Sequence, residues 1–212
     1  DRLPTCQVGN LSGPFFIFAN MTANLFHTYF QLGYQHILDP AGYDHMAFLL
    51  ALCAIYPPEQ WKRVAWLATA FTLGHSLTLA LAGFNILQLP GALIEWIIPI
   101  TIILAAVWNV IPRKGDLPPF RQAFILTGTF GLVHGLGFSN FLRSSLFPGQ
   151  EAQIVPQLFS FNVGIECGQL FILFGIWIIA IFAFRIGQVP QKNWNLFISG
   201  LAAGIAITLL LP

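Results

Sequence analysis

The sequence predicts an all-α fold, a polytopic transmembrane helix bundle with six or seven spanning helices, and three observations carry that prediction. Of 212 residues, 56% are hydrophobic and only 8% charged, whereas a soluble domain needs roughly 25% charged residues to cover its surface. Mean hydropathy is +0.72. Pro, Gly and charge clusters cut the chain into apolar runs of roughly 15 to 29 residues, and about 20 suffice to cross a bilayer as a helix.

Residues 1–21 read as an N-terminal loop or interfacial segment, with Phe15 to Phe18 able to dip into a membrane; residues 22–212 form a single transmembrane helical domain. The first helix runs from about 22 to 38, ending at Asp39-Pro40 because proline disfavours helical backbone in the residue before it. A short second helix from about 42 to 56 stops at Pro57-Pro58 for the same reason. The third, about 61 to 83, follows the charged stretch around Glu59, Lys62 and Arg63. The fourth spans about 91 to 111 between Pro90 and Pro112, and the fifth about 120 to 142, after Pro118-Pro119. The sixth and seventh run from about 157 to 185 and about 193 to 211. The count is seven if the first helix spans and six if it lies in the interface. The longest polar connection, 143–156, is too short for a soluble domain, and "DRLPTCQVGN" has neither the basic nor the apolar region of a signal peptide.

Composition also excludes some functions. A net charge of +1 without a Lys/Arg run argues against nucleic acid as a partner. Cys6, Cys53 and Cys167 are too scattered for a disulfide framework or a CxxC metal site, and read as small apolar fillers.

Basic residues set the orientation. Lys62, Arg63, Arg113, Lys114, Arg121, Arg185 and Lys192 all fall in alternate loops, which makes that side cytoplasmic. Residues 39–42, the loop at 84–90 and the loop at 143–156 are then expected outside. Helical rise converts position to depth. Asp44 and His45 enter the second helix from outside. His75 and His134 each lie about 14 residues, roughly 21 Å, above the cytoplasmic start of their helices, and Glu166 descends roughly 13 Å from the outer end of the sixth. His36, Asp39 and Glu95 fall in the same outer layer. Ionisable groups inside a membrane are costly and tend to mark functional sites, so their convergence on one layer points to a shared site. Neighbouring polar residues agree: Asn162, Glu166 and Gln169 share one helix face, as do Thr72, His75 and Ser76. Pro99 cannot donate to the carbonyl of Glu95, which leaves one more acceptor in the layer.

Three or four imidazoles with one or two carboxylates suit a divalent transition metal such as Zn, Ni or Co. His45, His75 and His134 are the expected ligands. Asp44 serves as a fourth ligand or as the group that orients a histidine, and Glu166 as a ligand or an acid/base. Plainer readings stand beside these. Asp44 and Glu95 could cap helix starts, His75 or His134 could simply bond a carbonyl, and His36 could be interfacial.

Three stretches carry a likeness to a known family: "LGYQHILDPAGYDHMAFLLAL" (32–52), "TAFTLGHSLTLALA" (69–82) and "FGLVHGLGFSNFL" (130–142). From about residue 25 on, the chain resembles the HupE/UreJ family of hydrogenase/urease accessory membrane proteins, which are tied to nickel or cobalt uptake. The resemblance implies a metal site at His36, Asp44, His45, His75, His134 and Glu166. It also implies residence in a bacterial inner (cytoplasmic) membrane, and the loop charges put the site on the extracytoplasmic side. The nickel-permease branch is similar to H-x5-D-H and F-H-G-x-A-H-G-x-E patterns; here the first interval is longer, and Phe130 and Gly137 stand at the second pattern's first His and its Glu.

Three functions follow as expectations. The first is a nickel, cobalt or zinc permease, whose partners are the metal ion and membrane lipids. The second is an intramembrane zinc hydrolase for a lipid or lipid-linked substrate, with Glu166 or Asp44 as general base and Ser76 stabilising an oxyanion. The third is a non-catalytic subunit with a structural metal site.

Overall fold

A computed structural model describes residues 14–40, 42–87, 89–111, 117–145 and 154–211, with the backbone alone at 14–23 and 139–145. Among these residues the chain forms seven α-helices: α1 (Pro14–Leu38), α2 (Asp44–Cys53), α3 (Trp61–Gly83), α4 (Gly91–Val110), α5 (Phe120–Ser145), α6 (Ile154–Ile181) and α7 (Gln191–Thr208). A π-helical turn over Phe182–Ile186 continues α6. The stretches Pro58–Gly83, Gly91–Val110 and Ile154–Ile186 are long and apolar enough to cross a membrane. With only 8% of residues charged, they make this an integral membrane protein. Large apolar side chains on the outer surface, such as Trp66, Leu73, Phe171 and Phe197, fit a hydrocarbon surround.

Helix α1 starts at Pro14 rather than at about 22, so residues 14–21 are helical and not a loop. Proline suits the first helical position, where its missing N–H has no partner to lose. Residues 1–13, the rest of the expected N-terminal segment, lie outside the described residues.

Glycines set the helix pairs. Gly74 and Gly128 meet where α3 packs on α5, and along the same seam Gly131 lies on the Phe71 backbone and Gly135 on that of His75. Residue numbers rise together on both helices, so α3 and α5 run in the same direction. The same holds for α1 and α6, where Gly33 lies on Phe161, Gly164 on Phe30, and Gly168 on Tyr34 and Ile37. A Cβ on Gly33, Gly74, Gly131 or Gly164 would strike backbone of the facing helix, which is how small residues bring membrane helices together.

Helix α2 takes up where α1 stops. Just past its end, Ala54 packs with Ala180, Trp194 and Ile198, so α1 covers the first half of α6 and α2 the second, both descending with it. The two are halves of one interrupted helix. At its 10 residues, α2 is about 15 Å long, half a bilayer. The break at Asp39-Pro40 lies level with Gly168 of α6, with Asp39 and Pro40 exposed and Gly42 and Tyr43 half-buried. What differs from expectation is the direction of α1, which runs parallel to α6 and not antiparallel to it. Helix α2 also ends sooner than expected, at Cys53, with short-range turn bonds from Ala54 N to Ala51 O and from Tyr56 N to Cys53 O leading into Pro57-Pro58.

One end of the bundle is basic. Arg185 pairs with Glu59 at 3.0 Å, Trp177 Nε1 donates to Pro58 O at 3.1 Å, and Arg63 donates to Pro118 O. The start of α3 and the end of α6 thus meet there with Lys62, Arg63 and Arg185, as loop charge predicted. From this end α7 rises antiparallel to α2: Gln191 donates to Ala54 O at 3.3 Å, and Thr208 lies 3.5 Å from the Tyr43 hydroxyl.

Candidate metal centre

The break between α1 and α2 places two histidines side by side. His36 occupies the last turn of α1, and His45 the first turn of α2. Their ring centroids are 4.8 Å apart. His75, in the middle of α3 and fully buried, completes a triangle at 6.2 Å from His36 and 6.0 Å from His45. One ligand atom from each of the three lies within 4.8 Å of the others. A metal bound at about 2.1 Å needs nitrogens roughly 3 to 4 Å apart, so the rings would close by about an ångström. His134 on α5 adjoins the triangle, 5.4 Å from His45. The close α3–α5 seam holds it there.

Hydrogen bonding leaves the same atom open on each ring. Asp44 Oδ1 accepts from His45 Nδ1 at 2.9 Å and from the His45 backbone amide at 2.8 Å. One carboxylate oxygen thus satisfies an amide at the start of α2 and fixes the ring tautomer, which leaves His45 Nε2 with a lone pair. Phe130 O is only an acceptor, so His134 Nδ1, 3.0 Å away, carries the proton and its Nε2 is likewise a free base. The Nε2 atoms of His36, His45, His75 and His134, and also His75 Nδ1, are buried without hydrogen-bond partners. An unsatisfied buried polar atom costs about 1–3 kcal/mol, and three imidazoles with ligand atoms within 4.8 Å of one another call for a ligand.

Aromatic rings enclose the cluster. Phe138 lies 4.0 Å from His36 and stacks on Phe161, while Phe71 lies 5.0 Å from His134 and stacks on Phe48 at 4.6 Å. On the side away from the basic end, a cavity of about 270 Å³ reaches the site, lined by His36, Asp44, His45, Glu95, Pro99 and His134 among others. A larger hollow of about 420 Å³, lined by Trp61, Leu173, Phe174 and Trp177, is apolar and suits hydrocarbon better than ions.

The remaining candidates sit apart from the ring nitrogens. Glu166, expected level with His75, instead has its Oε1 accepting from Thr69 Oγ1 at 2.6 Å. Thr69 is about 9 Å of helix rise from His75 toward the basic end. Ser76 donates to Thr72 O of its own helix at 2.6 Å. Glu166 and Ser76 are therefore not gathered with the imidazoles as a hydrolytic site requires. Sequence reasoning expected His45, His75 and His134 as ligands; the three whose ligand atoms lie together are His36, His45 and His75. The signal for the break was present: Asp39-Pro40 and Gly42 interrupt an apolar stretch too short for two crossings. The enclosing Phe71, Phe138 and Phe161 had no signal apart from their abundance.

The HupE / UreJ protein family model matches residues 15–211, and the chain belongs to that family. No curated protein and no solved structure matches it.

Proposed function

We propose that this HupE/UreJ protein carries a divalent transition metal across a bacterial inner membrane, with His36, His45 and His75 taking the ion and His134 as a fourth ligand. The family suggests a nickel or cobalt accessory or permease-like role. The observation that carries the reading is the convergence of His36, His45 and His75, each with a ligand atom within 4.8 Å of the others and a buried Nε2 without a hydrogen-bond partner. Imidazole nitrogens suit nickel, cobalt and zinc alike.

In this reading the transmembrane domain has six crossings, the first of them broken into α1 and α2. Broken helices with a polar site at the break are a recurrent device of transporters. The negative end of the α1 dipole, where His36 sits, favours a cation, and Asp44 offsets the positive start of α2. The basic end lies in the cytoplasm by the charge rule, so the cavity beside Glu95 opens outward. An ion entering there exchanges water for imidazole nitrogens in a dry aromatic shell. Asp44 stabilises the bound state by holding the Nδ1–H of His45. Catalysis on a lipid is the weaker reading, because Ser76 and Glu166 are bonded elsewhere.

The test is uptake of nickel and cobalt into proteoliposomes. Wild type should accumulate at least one of them above protein-free vesicles, and His45→Ala and His75→Ala should abolish accumulation. A wild type that moves neither metal contradicts the proposal.

A further inference from the structure

We propose that Glu166, Thr69, Thr72 and Gln169 form a second, oxygen-lined station for the same cation, one step closer to the cytoplasm than the histidines. The inference rests on the transport reading above. Its starting point is a half-buried acid, with one oxygen fully buried, that the histidine cluster does not use. Glu166 Oε2 is buried without a hydrogen-bond partner, and among the described residues no basic side chain forms an ion pair with Glu166. A carboxylate held this way within a membrane bundle is costly unless a cation visits it.

The neighbours supply the other donors. Thr69 Oγ1 donates to Glu166 Oε1 at 2.6 Å and lies 3.3 Å from Ala65 O. Thr72 Oγ1 donates to Gln169 Oε1 at 3.0 Å and lies 3.3 Å from Ala68 O. Each hydroxyl proton thus has two acceptors, one across the α3–α6 seam and one on its own helix. When a cation arrives, both protons can swing to the carbonyls of Ala65 and Ala68. The hydroxyl lone pairs, both Glu166 oxygens and Gln169 Oε1 then face the ion, and no proton leaves the protein.

Position fits transit. His75, Thr72 and Thr69 follow one another down α3 toward its start at the basic end, in steps of about 4.5 Å. Phe71 packs against Phe48 and His134 and closes the direct line below the histidines. The polar route instead passes along the face of α3 turned to α6. Oxygen donors hold nickel or cobalt more weakly than imidazoles do, as a station that must release its ion requires.

The experiment combines equilibrium dialysis of purified protein against nickel with uptake into proteoliposomes. Wild type should bind two equivalents, one tight and one weak. Glu166→Gln should keep the tight one, lose the weak one and slow uptake at least tenfold; Glu166→Asp should recover part of the rate. A single equivalent in wild type, undiminished uptake by Glu166→Gln, or loss of the tight equivalent in that variant overturns the second station. If Glu166→Gln does not fold, Thr69→Val carries the test, and uptake within twofold of wild type overturns it. Failure of wild type itself to move metal overturns the transport reading as well, so the two failures are told apart.

Discussion

Replacing His75 with leucine separates a ligand from a structural histidine. His75 is 0% exposed, and neither ring nitrogen has a hydrogen-bond partner. Leucine is of similar size and removes both orphaned atoms, which relieves about 1–3 kcal/mol per atom in the metal-free protein. The change of shape costs under about 1.5 kcal/mol. Metal-free His75→Leu should therefore melt at or above the wild-type temperature. Nickel at about 100 times its Kd stabilises a binding protein by about 2.7 kcal/mol, and that increment should vanish in the variant. Thermal unfolding in detergent, with and without nickel, reads both effects. A metal-free variant destabilised by more than about 2 kcal/mol, or one that nickel still stabilises fully, refutes the assignment; losses of that size come from broken packing or polar networks.

Two further predictions test the supports of the site. Asp44→Ala should weaken nickel or cobalt binding by about 10- to 100-fold, the usual cost of removing the group that orients a ligating histidine; calorimetric titration checks it, and unchanged affinity would count against the tautomer argument. Gly164→Val should cost about 1–3 kcal/mol or more by forcing α1 off α6 at Phe30, whereas Gly200→Ala, with nothing within 4 Å of its added Cβ, should melt like wild type.

Much of the bundle was legible because its punctuation is chemical. Prolines and charges bound α3 and α4 within a residue or so of their observed ends, and the basic residues grouped the loops at one end. The layer holding His75 and His134 followed from helical rise alone, since α3 and α5 are uninterrupted and rise together. The direction of α1 was harder. Loop charge set α1 antiparallel to α6, and only the glycine contacts between the two helices show them parallel. Side-chain aim was beyond depth arithmetic as well. A 2.6 Å bond draws Glu166 to Thr69 and away from the histidines, and no periodicity in the sequence pairs Thr69 with Glu166 or Thr72 with Gln169 across helices.

The most direct test of the metal site is X-ray absorption at the metal edge of nickel- or cobalt-loaded protein. Three or four imidazole nitrogens at about 2.1 Å, with the count falling in His36→Ala, His45→Ala and His75→Ala, is the result the site predicts. A first shell of oxygens alone, or one that keeps its imidazole count in all three variants, would contradict it.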